Sequence, residues 1–265
     1  MGYVDVVTPF GFSGFVGNGA CDDFEENWRD FASQRSYVCG YFALHPALDN
    51  HVYRSQAYPS NTVYAFDLSL SYAQLWANLH RTRRQELRNW ETVKASLLLE
   101  RSPLERFVLN NYHEFLDRVG AAPGYYLTQA TLSRLVQLPN VMLVGIGTPD
   151  AVEEVEEVAV IAFTQAVADG LFNVSVRKGK RHTSRLIWYG VETMKSLGVA
   201  RFNLGGTVHP GDRLTKAKAS FGLRETPFYC LKHVYRPDVY VDLCRRVSID
   251  PDGYSGYFPA YRTPS

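Results

Sequence analysis

Residues 183–206, TSRLIWYGVETMKSLGVARFNLGG, decide how this chain is read. Thr183 to Leu197 has the pattern of a helix, capped by Thr183 or Ser184 and stopped by Gly198. It leads into a short strand, Arg201 to Leu204, that ends in Gly205-Gly206. Downstream, Asp212 to Phe221 reads as a short helix and Phe228 to Tyr235 as a last strand. Upstream, Val158 to Val167 and Leu171 to Val176 read as strands joined by Ala168-Asp169-Gly170, since Asp-Gly between two apolar runs signals a hairpin. Val141 to Gly147 is a further strand. The second half therefore has the order β-β-β-α-β-α-β, which predicts an α/β fold with a mixed sheet and helices on both faces.

The first half offers a looser version of this order. Val4 to Val7, Tyr37 to Leu44 and Thr62 to Leu68 read as strands. Asp22 to Ser33, Ser71 to Arg88 and Leu104 to Val119 read as helices, the last ended by Gly120 and Pro123. No direct repeat joins the halves, but their element order predicts two related units, 1–130 and 131–265, the first degenerate and the second carrying the donor site. Tyr254 to Ser265 forms an aromatic, Pro-containing tail.

Composition narrows the class. With 265 residues, 46% hydrophobic and 21% charged, the chain has the balance of a folded protein and not of a disordered one. A net charge of +1 excludes a globally basic nucleic-acid binder, and no DNA partner is expected, but local basic patches remain open. No apolar run approaches the roughly 18 residues of a membrane span. Met1 leads straight into a strand-like segment without a positive leader, so a cytoplasmic protein with no secretory signal is expected. Cys21, Cys39, Cys230 and Cys244 form no CxxC pair and have no His at ligand spacing, which predicts free thiols and no metal.

Several segments jointly resemble the FemAB-like branch of the GNAT acyltransferases. In that branch a helix leads through a glycine to a strand ending in Gly-Gly, as Ser184 to Gly206 does here, and an FKxxFG segment follows. Ala217-Lys218-Ala219-Ser220-Phe221-Gly222 is similar to that segment, with Ala217 in place of the usual aromatic. Thr8-Pro9-Phe10-Gly11-Phe12-Ser13-Gly14 resembles the branch's TPYGYGG loop with both tyrosines replaced by Phe. Phe258-Pro259-Ala260-Tyr261-Arg262 is similar to its FPxYR ending. The resemblance implies two GNAT-like (acyl-CoA N-acyltransferase-like) units packed together. It implies transfer of an aminoacyl group from tRNA, or of an acyl group from a thioester, to an amine, in building peptidoglycan cross-bridges or modifying polysaccharides or small antibiotics. The chain starts close to the TPFGFSG loop and lacks a heptad pattern for the long arm of the cross-bridge enzymes, and both departures point away from that role.

Amide formation from an activated ester or thioester needs a held amine and a donor for the developing oxyanion, and no covalent nucleophile. The sequence agrees: it has no Gly-x-Ser-x-Gly elbow and no Ser-His-Asp or Cys-His context. Lys218 is the leading catalytic candidate. The resemblance gives its position a role at the reacting centre, and it follows the Gly205-Gly206 strand end, where backbone and substrate can approach closely. Lys216 is its neighbour on the same helix but leaves in another direction. His209, in the loop between, is a weaker candidate base. Arg177-Lys178-Gly179-Lys180-Arg181 lies between a strand and the helix opening at Thr183, a sensible site for phosphate. It does not match the (Q/R)xxGx(G/A) loop that holds coenzyme A in GNAT enzymes, which leaves nucleic-acid phosphate as a ligand. Arg177, Lys178, Lys180, Arg181, Thr183, Gly205 and Gly206 are thus assigned to the donor.

Arg81, Arg83, Arg84 and Arg88 form a second basic cluster, either a solvated face or a grip on an anionic acceptor or the tRNA stem. Phe10 and Phe12, with Arg84 and Arg88, are assigned to the acceptor; the aromatic loop otherwise serves packing. The expected donor is aminoacyl-tRNA and the acceptor a small-molecule amine, with no required cofactor. A coenzyme A or acyl-carrier thioester is the alternative donor, and a binding protein that has lost the chemistry is the alternative from another class.

Overall fold

The structure is a computed structural model, described over residues 2–8, 11–15, 22–48, 56–147, 155–176, 182–206, 213–252 and 256–263. The first elements are β1 (Val4–Val7), α1 (Phe24–Gln34), β2 (Tyr37–Ala43) and β3 (Tyr58–Asp67). A helical stretch follows with α2 (Tyr72–Asn78), α3 (Arg81–Glu86), α4 (Trp90–Ala95), α5 (Arg101–Val119) and α6 (Gln129–Gln137). Then come β4 (Val141–Gly147), β5 (Val155–Phe163), β6 (Val167–Ser175), α7 (Thr183–Ser196), β7 (Arg201–Gly206), α8 (Arg213–Ala219), β8 (Arg224–Val234) and α9 (Pro237–Arg246). The run from β4 to β8 has the strand and helix order expected from the sequence. The chain divides into two compact units, residues 1–61 with 227–265, and residues 62–226. Neither border falls at residue 130; α2 to α6 lie in the same unit as β4 to β7, with the greater part of β3.

In the 62–226 unit the strands lie in the order β3-β7-β6-β5-β4, parallel between β6 and β7 and antiparallel elsewhere. Strand periodicity builds two cores from β5 alone. Ala159 and Ile161 join Leu186, Val191 and Met194 of α7, with Phe66 and Phe202 from β3 and β7. Val158 and Val160 join Leu104, Val108, Tyr112 and Leu116 of α5 and Leu132 and Val136 of α6. Successive strand residues face opposite sides, so one apolar run carries helices on both faces. Each fully buried aliphatic side chain contributes on the order of 1.5–3 kcal/mol.

Two local readings are corrected. The hairpin turn falls at Thr164 to Ala166, where the Thr164 hydroxyl accepts the Ala166 and Val167 N–H groups at 3.2 Å. Asp169 and Gly170 lie inside β6, facing Ala162 and Ile161 of β5. The expected helix over Ser71 to Arg88 is two helices. His80 is extended (ψ 151°) and its ring accepts the Thr82 N–H, so the chain restarts there as α3. The Ser71 capping box with Gln74 opens α2 as expected.

In the other unit β2 pairs in parallel with β1 and antiparallel with β8. Phe42 and Leu231 pack with Phe15, Phe24 and Trp28. Val38, Cys39, Tyr240, Cys244 and Phe258 form a second cluster. The tail motif is a clamp: Phe258 stacks on Tyr240, while Tyr261 and Arg262 both donate to the Asp5 carboxylate. The described cysteines, Cys39, Cys230 and Cys244, are buried free thiols, and burial pushes the Cys39 thiol up. Among the described residues no helix is long and apolar enough to cross a membrane, and no three His, Cys, Asp or Glu side chains are grouped to hold a metal.

Candidate active site

The site begins where two parallel strands stop pairing. β6 and β7 are in register only at Val167–Arg201, Ala168–Phe202 and Asp169–Asn203. β6 then continues along β5 to Ser175, and β7 along β3 to Gly206. A seam opens between them, where the two strands no longer pair with each other.

On the β7 side, Asn203 fixes the seam's origin. Its buried amide donates to the Asp169 carboxylate at 2.8 Å and its carbonyl oxygen accepts the Gly205 N–H at 2.8 Å. Gly205 sits at φ +74°, a conformation that favours glycine. The turn aims the carbonyls of Leu204 and Gly206 at Lys218, whose Nζ donates to them at 2.6 and 2.5 Å. Lys218 is half-buried and Lys216 exposed, as two helix positions about 200° apart require. α8 is stopped by Phe221, buried edge-to-face on Phe66, and by Gly222 at φ +66°. A Cβ on Gly222 would lie 2.2 Å from the Asn78 carbonyl oxygen, so this glycine sets the close approach of α8's end to α2.

On the β6 side, the first turn of α7 stands over a buried acid. Glu157 of β5 is fully buried; its Oε1 accepts from the Thr183 hydroxyl at 2.6 Å and from the Asn173 amide at 3.2 Å. Its Oε2 has no hydrogen-bond partner among the described residues. Burial pushes this carboxyl up to about 7, against the opposing pull of Thr183, Asn173 and the His182 N–H. Thr183 and Ser184 therefore do not cap α7 with their side chains; Thr183 serves Glu157, and Ser184 donates to Glu86 at 2.5 Å.

Arg83 ties the two sides together. Its guanidinium donates to Ser184 at 2.7 Å, to Glu86 at 2.7 Å and to Ser220 at 2.8 Å, and lies 4.6 Å from the centre of the Phe221 ring. One planar fork thus holds α3, α7 and the end of α8.

The expected residues are placed as follows. Lys218, Gly205 and Gly206 form the β7 side, and Thr183 the β6 side. Arg177, Lys178, Lys180, Arg181, His209 and Phe10 lie outside the described residues. Arg84 is not gathered with Arg88: it donates to the Ala77 carbonyl at 3.1 Å, closing α2, while Arg88 is exposed in the turn after α3. Phe12 lies in the other unit, edge-to-face on Phe228 with ring centres 5.0 Å apart. Sequence reading missed Asn203, Asp169, Glu157 and Asn173, and named Arg83 only as one of a cluster.

This architecture is shared with known proteins at low sequence identity. A crystal structure of FemX superposes with a TM-score of 0.57 at 10% identity, over 83% of this chain and 77% of that one. The structure of L-PGS from Bacillus licheniformis does so with a TM-score of 0.53 at 13% identity, over 84% and 77%. The C-terminal domain of a putative lysylphosphatidylglycerol synthetase from Agrobacterium fabrum gives 0.50 at 16%, over 80% and 72%. No known family profile matches the sequence, and no curated protein does. The chain shares its mixed α/β fold with FemX and L-PGS.

Proposed function

We propose that this protein is an N-acyltransferase, moving an aminoacyl group from aminoacyl-tRNA to an amine of a small metabolite or of a wall or antibiotic precursor. The observation that carries the reading is Lys218. Its ammonium is held beside the seam by the Leu204 and Gly206 carbonyls at the end of β7. A prefixed donor of this kind favours the charge that develops when an amine adds to an ester carbonyl. The C–N bond forms, the ester C–O bond breaks, and the proton lost by the amine ends on the leaving hydroxyl. No metal or covalent enzyme intermediate is needed.

The name of one similar protein, a putative lysylphosphatidylglycerol synthetase, favours aminoacyl transfer; that product is an ester, so the amine acceptor rests on the resemblance of the sequence segments. Against the thioester alternative, Arg177-Lys178-Gly179-Lys180-Arg181 departs from the (Q/R)xxGx(G/A) loop that holds coenzyme A and offers the basic side chains that suit nucleic-acid phosphate. On this reading Arg177, Lys178, Lys180 and Arg181 grip donor phosphates, Phe10, Phe12, Arg84 and Arg88 serve the acceptor, and the enzyme works in the cytoplasm without a cofactor.

The test is a donor screen of purified protein with charged tRNA pools and, separately, acyl-coenzyme A sets, in a mixture of small amines. RNase-sensitive amide formation supports the proposal. Thioester consumption without RNA overturns the donor assignment, and silence with every donor and amine favours a non-catalytic binding protein. Neutralising the four basic loop residues should weaken donor binding, with a smaller loss at high salt where the wild type has already lost its electrostatic advantage.

A further inference from the structure

Three of the chain's four tryptophans meet away from the seam. Trp76 of α2, Trp90 of α4 and Trp188 of α7 line a groove of about 750 Å³, together with Tyr72, Lys94 and Glu192. The groove follows the stripe of α7 formed by Trp188 and Glu192, one turn apart, and shares no residue with the assigned donor or acceptor groups.

Its walls and floor have a defined chemistry. The half-buried Trp76 ring forms the open wall and stands at 73° to the buried Trp188 ring behind it, with centres 5.6 Å apart. At the floor, Glu192 Oε1 accepts the Trp90 indole N–H at 2.7 Å, and Oε2 accepts from the Lys94 ammonium at 2.7 Å. The Tyr72 ring already faces a cation, the Lys195 ammonium 5.4 Å from its centre. Aromatic faces arranged around a carboxylate attract cations through both the ring quadrupoles and the formal charge.

Lys94 shows which cation fits. It is an alkyl chain ending in an ammonium, and that ammonium is seated on the groove's carboxylate. It is also replaceable: its side chain is 42% exposed, so the pair with Glu192 is a surface one and weak. A ligand with the same head could displace Lys94 into water and gain in exchange the contact of its hydrocarbon chain with indole. We propose that this groove binds a small primary alkylammonium ion, its head replacing Lys94 on Glu192 and its chain lying against the Trp76 ring. The site is independent of the acyl-transfer reading and stands or falls without it.

The test titrates the full-length protein with n-butylammonium and, separately, with n-butanol of the same length, following the indole N–H signals by NMR. Trp90→Phe identifies the signal of the indole that bonds Glu192. The ammonium should shift the Trp90 signal saturably and leave that of Trp28, which lies in the other unit. The alcohol should bind about tenfold more weakly. Lys94→Ala should tighten ammonium binding roughly two- to fivefold, because it removes an internal competitor. Glu192→Gln keeps an acceptor for Trp90 and should erase the preference for ammonium over alcohol. Equal binding of ammonium and alcohol overturns the proposal. So does a Lys94→Ala protein that binds ammonium no better than wild type, or the lack of any saturable shift in both proteins.

Discussion

The two sides of the seam handle charge in opposite ways. On the β7 side a cation, the Lys218 ammonium, is held by backbone carbonyls that do not neutralise it. On the β6 side the end of α7, where an incoming anion would ordinarily be attracted, is supplied from within by the Glu157 carboxyl. The difference teaches that a strand–loop–helix unit is not a phosphate site by topology alone. What stands beneath the first turn decides whether the helix's partial positive charge faces a ligand or the core.

The largest expected effect breaks the β7 side. Lys218→Ala should lower kcat by about 100–1000-fold, on the order of 3–4 kcal/mol, with a smaller change in KM. Lys218→Arg should restore little, since a planar fork cannot donate to the Leu204 and Gly206 carbonyls as a compact ammonium does. Lys216→Ala should be near wild type. Steady-state kinetics on folded variants decides it: a fully active Lys218→Ala removes the β7 side from the chemistry.

Glu157→Gln breaks the β6 side. Because the folded carboxyl titrates near 7 and a free one near 4.5, the folded state binds more protons between those values. Stability should therefore be highest below about pH 4.5 in this term, fall as pH rises, and level off above about pH 7. The full difference is roughly 3 kcal/mol. Glu157→Gln cannot ionise, so it should match wild type near pH 5 within about 1 kcal/mol and exceed it near pH 8. Urea unfolding at both pH values measures this; a variant less stable than wild type at the higher pH would show that the ionised carboxylate is well solvated or paired.

How much of this was legible depended on whether a signal was local. Gly205, Gly206, Lys218 and Gly222 were reached through the resemblance of the Gly-Gly strand end and the AKASFG segment, and positive φ gives Gly205 and Gly222 a backbone reason. The β-β-β-α-β-α-β order was readable from apolar runs and turns. Asp169-Gly170 misled, because its hairpin signal is local while its partner, Asn203, lies 34 residues away. Glu157 stands in a run of glutamates, and nothing nearby in the sequence marks it as the one beneath Thr183. α6 and α9 went unread although each carries an apolar pair four residues apart, Leu132 with Val136 and Tyr240 with Cys244. The break at His80 depends on its ring meeting the Thr82 N–H, which the leucine spacing across it conceals.

Arg83→Met tests whether the two sides act together. It keeps an apolar stem over Phe221 but removes the bonds to Ser184, Ser220 and Glu86. Loss of these charge-assisted contacts should cost about 2 kcal/mol in urea unfolding. Arg83→Lys should recover only part of it. A change within about 0.5 kcal/mol for the methionine variant would mean that α3, α7 and α8 are held by packing alone.

The smallest effect is the sharpest for the comparison. Thr183→Val keeps shape and branching at the start of α7 and removes only the hydroxyl that donates to Glu157. Near pH 5 the acid is neutral, and losing one neutral hydrogen bond should cost about 1 kcal/mol. Near pH 8 the acid is ionised, the lost bond is charge-assisted, and the cost should be about 2 kcal/mol. The sign follows from linkage: a donor that favours the ionised form holds the folded carboxyl down, so its removal raises that value above about 7. The fall of stability with pH, complete near pH 7 in wild type, should then continue to higher pH in the variant. Because Thr183 is assigned to the donor, KM for the donor should rise at neutral pH while kcat, which rests on Lys218, changes less. Unfolding curves at several pH values, with kcat and the donor KM measured on the same preparations, check both halves. A penalty that is equal at every pH would show that the Thr183 hydroxyl does not serve the ionised carboxylate. A large loss of kcat with no change in stability would move the α7 terminus from support to chemistry.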